Sequence, residues 1–210
     1  MKRITPLILG RGLSGQAIAK SLAIIRAQEF GVDLAALQWL GRDVSLQTVK
    51  KQFEHPVLFI ANPHGLHAGA IIEAAKAGFT HIVCEKPVCV SLEESCELRK
   101  VDANVAVLQV YREMWGPREI RRKVVAGELG ELFAVEGRYW QSFAAERAVR
   151  GRGESRASWK NNVKLSGNHD VLLDLGTHWM DLASFLIGCS PSVIRYWQSF
   201  VNAEAPHIDT

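Results

Sequence analysis

Asp174-Leu-Gly176-Thr-His178-Trp-Met-Asp181 places three polar side chains four and then three residues apart, on one face of a helix. The other positions of that helix, Leu172, Leu173, Leu175, Trp179, Leu182, Phe185 and Leu186, are apolar. Burying carboxylates and an imidazole is costly unless they are paired or line a cavity, and histidine is the side chain best suited to move a proton near neutral pH. The structural alternative makes His178 a satisfied core histidine and Asp181 a cap. A second candidate is Lys86 in Glu85-Lys86-Pro87. Its ammonium can donate to a substrate hydroxyl or carbonyl and favour negative charge developing on oxygen, although without further context the surface lysine in a loop is the stronger reading.

These groups need a scaffold, and the start of the chain supplies its signature. Pro6-Leu-Ile-Leu-Gly10-Arg-Gly12-Leu13-Ser14-Gly15 runs from an apolar strand through G-x-G-x-x-G into an amphipathic helical pattern. In such a turn the first glycine makes the bend, the second admits a pyrophosphate to the backbone, and the third lets helix and strand pack closely. Glycine spacing arises by chance in a chain with 17 glycines, so an ordinary glycine loop is the alternative. The strand before it and the helix after it favour a dinucleotide-binding turn.

The second strand ends Trp39-Leu-Gly41-Arg42-Asp43. A glycine where a ribose-binding carboxylate would stand, with Arg42 beside it, removes repulsion from a 2′-phosphate and offers it a fork of donors. That points to NADP(H) rather than NAD(H); Asp43 would serve NAD(H) if the register moved by two residues. Asn62-Pro63-His64-Gly-Leu-His67 follows the third strand at the carboxyl edge, where ligands bind in open α/β sheets. His67 reads first as a histidine that packs or caps. Lys86 follows the fourth strand at the same edge, within reach of a nicotinamide carboxamide.

The elements alternate. Strands are expected at Ile4 to Leu9, Leu34 to Leu40, Pro56 to Ala61, His81 to Cys84 and Val105 to Val110. Helices are expected at Leu13 to Ala27, near Leu46 to Phe53, at Gly65 to Ala77 before Gly78, and after Ser91, where Glu94 completes a capping box. Right-handed crossovers then give an α/β fold, a doubly wound parallel Rossmann sheet over residues 1–110. Residues 111–210 read as a second, incomplete α+β domain: a helix at Pro117 to Ala126, a turn at Gly127 to Gly130, an alternating strand from Leu132 to Gln141, a helix from Val171 to Ile187 and a strand from Ser192 to Val201.

A 210-residue chain with 48% hydrophobic residues can bury a real core, and no apolar run approaches the roughly 20 residues that span a membrane. A start without a signal-like apolar segment predicts a cytoplasmic location. The formal charge of +3 is too small for a nucleic-acid footprint. Cys84, Cys89, Cys96 and Cys189 form no C-x-x-C pair, so neither a metal site nor a disulfide framework is expected. Arg147, Arg150, Arg152, Arg156, Lys160 and Lys164 read as a solvated loop, with a substrate loop for an anionic ligand as the alternative.

Taken in order, Gly10 to Gly15, Asn62-Pro63 with His67, Ala74 to Gly78, Glu85-Lys86-Pro87, Gly127 to Gly130, Trp159-Lys160 and Asp174 to Asp181 resemble the Gfo/Idh/MocA family of NAD(P)-dependent oxidoreductases. The resemblance implies hydride transfer between a nicotinamide cofactor and a small sugar, polyol or related carbonyl substrate. It also implies a homo-oligomer. Lys86 and His178 become the catalytic pair, with Asp174 orienting His178 or the substrate and the Lys86-Pro87 bond in the cis form. The cofactor-binding set becomes Gly10, Gly12, Leu13, Ser14, Gly15, Arg42, Asn62, Pro63, His67, Glu85, Lys86 and Arg112. The chain departs from the family pattern in three places. Tyr111 stands where asparagine commonly precedes Arg112, Lys160 replaces the arginine expected after Trp159, and the segment between the second and third strands is short. Family members carry about a hundred further residues, so a non-catalytic dinucleotide sensor and an inactive fragment are the rival expectations.

Overall fold

The computed structural model describes residues 2–28, 30–140, 158–169, 171–189 and 192. The chain divides into two compact units, Met1–Leu108 and a second that begins at Gln109.

The first unit alternates strand and helix: β1 (Thr5–Leu9), α1 (Leu13–Ala27), β2 (Gln38–Leu40), α2 (Leu46–Gln52), β3 (Pro56–Ile60), α3 (His67–Lys76), β4 (His81–Glu85), α4 (Leu92–Leu98) and β5 (Asn104–Leu108). The strands form one parallel sheet in the order β2-β1-β3-β4-β5. The chain winds outward from β1 to β2 and then returns past β1 to β3, so the switch point lies between β1 and β3.

Successive side chains of a strand face opposite sides, and the core divides accordingly. Leu7, Leu58, Ile60, Ile82 and Cys84 pack with Ala70, Ile71 and Ala74 of α3 on one face. Ile8 and Ala61 pack with Ile18 and Leu22 of α1 on the other. Leu7, Ile8, Leu58, Ile60 and Ile71 are fully buried, each contributing about 2 kcal/mol of transfer free energy.

Helix ends follow their sequence signals. Gly78, at φ +88°, ends α3, and the amides of Gly78 and Phe79 donate to the carbonyls of Ala75 and Ala74 in a Schellman closure. Ser91 Oγ accepts from the Glu94 amide at 3.2 Å, while Glu94 Oε2 accepts from the Val90 amide at 2.8 Å, one residue before the position a capping box uses. Ser91→Ala is therefore expected to lower stability by about 1 kcal/mol and Ser91→Gly by a few tenths, read as shifts of the urea midpoint at constant m value.

Most boundaries fall within a residue or two of the sequence expectation, and the differences that matter lie at β2, α3 and the end of β5. Leu34 meets Ile4 only as an isolated bridge, and β2 proper is three residues long. A 3-10 turn, His64–Leu66, precedes α3, whose first residue is His67 rather than Gly65. β5 stops at Leu108 because Val110–Glu113 forms another 3-10 turn.

The second unit contains α5 (Trp115–Val125), a single turn α6 (Val163–Ser166), a π-helical turn Leu172–Gly176, and α7 (Thr177–Ile187). Arg121 of α5 donates to the Leu186 carbonyl of α7 at 3.0 Å. The expected strand from Leu132 does not form: residues 132–140 pair with no strand among the described residues. Gln141 and, apart from Ser192, the expected strand Ser192 to Val201 lie outside the described residues.

Candidate functional site

Strand register sets the carboxyl edge of the first unit. Leu9 pairs with both Leu40 and Ile60, and Ile60 pairs with Cys84, so Gly10, Gly41, Ala61 and Glu85 stand in one row at the carboxyl edge, where Glu85 is still paired with Leu108 as the last residue of β4. Gly10 has φ +114°, and a Cβ there would lie 2.3 Å from the Ala61 carbonyl oxygen. A Cβ on Gly15 would lie 2.0 Å from the Gly10 carbonyl oxygen, which accounts for glycine where α1 crosses the turn. Gly12 differs, because a Cβ there would meet no atom within 4 Å. The backbone of Gly12, Leu13 and Ser14 faces open space, and no side chain caps α1. Uncapped amides at a helix start beside a glycine face fit a pyrophosphate. Arg42 and Asp43 are both exposed in the turn after β2, the edge strand of the sheet.

The next two loops of the row complete this edge. Asn62 Oδ1 is buried and accepts no hydrogen bond among the described residues, leaving an acceptor beside the switch point. The Lys86-Pro87 peptide is cis. Burial pushes the Glu85 carboxyl up, with the Lys86 ammonium opposing it, and burial pushes the Cys84 thiol up to about 12, which keeps it protonated. His67 is fully buried. Its Nδ1 stands 2.6 Å from the Pro87 carbonyl oxygen and its Nε2 2.8 Å from the Asn62 carbonyl oxygen, so the ring joins two loops.

In the second unit the acidic residues of the polar stripe are paired. Asp174, in the π turn, accepts from the Lys160 ammonium, both side chains being largely buried. Asp181 holds Arg112 through two bonds, including Arg112 Nε to Oδ2 at 2.6 Å, and the pairing raises the Arg112 guanidinium above its ordinary range. His178 has the Tyr111 ring edge-on at 4.7 Å between centroids and the Tyr139 ring nearly parallel at 6.4 Å. The two phenol oxygens are 2.6 Å apart, and that hydrogen bond, ahead of burial, pushes Tyr139 up to about 12.

Sequence reading brought out Tyr111 only as a departure and did not mark Tyr139, whose alternation suggested a sheet position. It found neither the Lys160–Asp174 pair nor the two-loop contact of His67. Of the basic run, Lys160 is bound to Asp174, while Arg147, Arg150, Arg152 and Arg156 lie outside the described residues. No described helix is long and apolar enough to cross a membrane, and no group of three or more His, Cys, Asp or Glu among the described residues could hold a metal.

A parallel sheet with an open glycine turn at its switch point defines a dinucleotide-binding Rossmann protein. Residues 10–110 match the profile described as "Oxidoreductase family, NAD-binding Rossmann fold", and residues 118–209 match "GFO/IDH/MocA C-terminal domain". The chain belongs to the Gfo/Idh/MocA oxidoreductase family. It is similar to levoglucosan dehydrogenase of Pseudarthrobacter phenanthrenivorans, 29% identical over 80% of this chain and 40% of the relative. It is also similar to D-glucoside 3-dehydrogenase of Escherichia coli, 27% identical over 63% of this chain and 36% of the relative. Two solved structures share the fold. An inositol dehydrogenase homolog complexed with NAD+ from Azotobacter vinelandii has TM-score 0.63 and 22% identity, covering 89% of this chain and 54% of that one. An oxidoreductase domain protein from Kribbella flavida has TM-score 0.73 and 21% identity, covering 90% and 55%. The chain thus spans about two fifths of the length of these curated relatives and somewhat over half of these solved chains.

Proposed function

We propose that this protein is a nicotinamide-dependent oxidoreductase that moves a hydride between its cofactor and a small sugar, polyol or related carbonyl substrate. The observation that carries this is the single row at the carboxyl edge of the sheet. There the Gly10–Gly15 turn, the unsatisfied Asn62 acceptor and the Lys86 loop follow aligned strand ends.

When bound, a nicotinamide dinucleotide supplies the hydride acceptor or donor. The chain's residues supply the rest. The amides of Leu13 and Ser14 receive the pyrophosphate, with Gly12 leaving room for it. Asn62, Pro63 and Glu85 line the nicotinamide side, and Lys86 donates to the reacting oxygen of the substrate, favouring the charge that develops there. His178 takes the hydroxyl proton on oxidation and returns it on reduction. Asp174, neutralised by Lys160, fixes the backbone turn that leads into α7. Arg112, held by Asp181, contributes a fixed positive charge.

Arg42, exposed beside Gly41, supports NADP(H) over NAD(H), although the Azotobacter vinelandii homolog was solved with NAD+. Levoglucosan, glucosides and inositols are the first substrates to assay, given the relatives' names. An anionic sugar belongs in the same panel, as the basic run suggests. Fluorescence titration should show NADPH binding about tenfold tighter than NADH. Tighter NADH binding removes the Arg42 argument, and binding of neither removes the cofactor reading. Cofactor binding without turnover of any panel substrate favours a dinucleotide sensor instead. Sedimentation measures whether the chain is a homo-oligomer.

A further inference from the structure

We propose that His67 is the positioning residue for Lys86: its imidazole braces the Asn62 loop against the Pro87 loop and so fixes the backbone that presents the lysine. The catalytic part rests on the role proposed above for Lys86; the brace itself is a property of the chain without ligand. His67 opens α3 and is fully buried, so it has no surface to offer a ligand. Both ring nitrogens are instead spent on backbone carbonyls, at 2.6 Å from Pro87 and 2.8 Å from Asn62. Pro87 directly follows Lys86, so fixing its carbonyl fixes the lysine's place on the sheet edge. The far end of the same loop is tied separately, by the Val90 amide on Glu94 at 2.8 Å.

The acceptors give the brace a proton dependence. A carbonyl oxygen only accepts, and a neutral imidazole has one N–H, so both bonds form together only in the imidazolium. The charged and titratable groups around the ring are Lys86, which opposes that charge, Glu94, which favours it, and the His64 ring at 5.8 Å. Burial outweighs the two carbonyl bonds and holds His67 below its ordinary range. Near neutral pH one carbonyl therefore receives a proton and the other faces a lone pair. The second bond forms as the pH falls through the lowered value of the folded state. Because the unfolded chain takes up that proton first, global stability falls as the pH drops from the ordinary histidine range to the lowered folded-state value, where the brace closes.

The test is nuclear magnetic resonance of the full chain with nitrogen-15 histidine, titrated from about pH 8 to about pH 5. His67 should carry one ring proton at the start and gain the second at a pH below that of an exposed histidine. The Lys86 and Val88 amides should shift in the same step. Amides of Lys86 and Val88 that do not follow the His67 titration overturn the brace.

Variants divide the two bonds, since the amide nitrogen of asparagine reaches towards the Nδ1 position and that of glutamine towards the Nε2 position. Hydrogen exchange at Val88 and Val90 should quicken about tenfold in His67→Ala and His67→Gln, and less in His67→Asn. Equal exchange in all three and in the parent chain overturns the assignment. Should His67→Ala not fold, the parent titration and the Asn/Gln pair decide. With cofactor and substrate, His67→Gln should lower kcat further than His67→Asn at similar cofactor affinity. Loop shifts that track His67 in a chain that turns over no substrate would retain the brace and reject the oxidoreductase reading.

Discussion

Replacing His178 with alanine should lower turnover about a thousandfold, some 4 kcal/mol of transition-state free energy, while the dissociation constant for NADPH changes by less than about threefold. The asymmetry follows from placement. His178 is carried by α7 of the second unit, whereas the glycine turn, Asn62 and Arg42 all belong to the sheet of the first. On the proposed mechanism, removing the imidazole takes away the group that accepts the hydroxyl proton and leaves the amides proposed to bind the phosphates intact. It also opens a space beside Tyr111 and Tyr139, whose rings pack on His178. His178→Gln fills most of that space without restoring a side chain that can take up and return a proton, so it should stay as slow as alanine. Single-turnover measurement of nicotinamide absorbance in the parent chain and both variants checks this. Unchanged turnover in both removes His178 from the mechanism.

What the chain discloses before folding is uneven, for physical reasons. The first unit is legible because each of its signals is local. A buried parallel strand is a short apolar run, a turn that must adopt φ +114° calls for glycine, and Ser91 with Glu94 announces a helix start. These signals place the strand ends and hence Gly10, Asn62 and Lys86 on one edge. Boundaries within a residue or two depend on tertiary pairing, which is why Leu34 makes only a bridge and β5 ends at Leu108.

The second unit is less legible because its organising contacts are distant in sequence. Asp174, His178 and Asp181 are evident as a polar stripe, but nothing local says that Asp174 answers to Lys160 or Asp181 to Arg112. The π turn at Leu172–Gly176 also departs from the regular helical spacing that the stripe presupposes. Alternation from Leu132 suggested a strand, yet alternation records only which side chains are apolar. A strand also requires a neighbour, and residues 132–140 have none among the described residues. His67 shows the same limit inside the first unit. Its type and position were visible, but its two carbonyl partners depend on where the chain goes twenty residues later.

Two glycines of one turn should separate folding from binding. Gly10→Ala places a Cβ 2.3 Å from the Ala61 carbonyl oxygen, a backbone atom that cannot rotate away, in a residue at φ +114°. The unfavourable dihedral costs about 1–2 kcal/mol and the overlap about 1–3 kcal/mol more. Against a stability of about 5–15 kcal/mol, the sum should lower Tm by about 15 °C or leave the chain insoluble. Gly12→Ala meets no atom within 4 Å and sits at φ −71°, which alanine adopts without strain. Its stability should change by no more than about 1 kcal/mol, the ordinary difference between glycine and alanine at a helix N-cap. The methyl group nevertheless enters the space through which a pyrophosphate reaches the amides of α1, so NADPH affinity should fall at least about tenfold. Thermal unfolding measured alongside cofactor titration reads both variants. Tight NADPH binding by Gly12→Ala means that the open face at Gly12 is not where the phosphates lie. An unaffected Tm in Gly10→Ala means that the contact between the β1 and β3 loops can yield, and then the close approach at the switch point is not what demands glycine there.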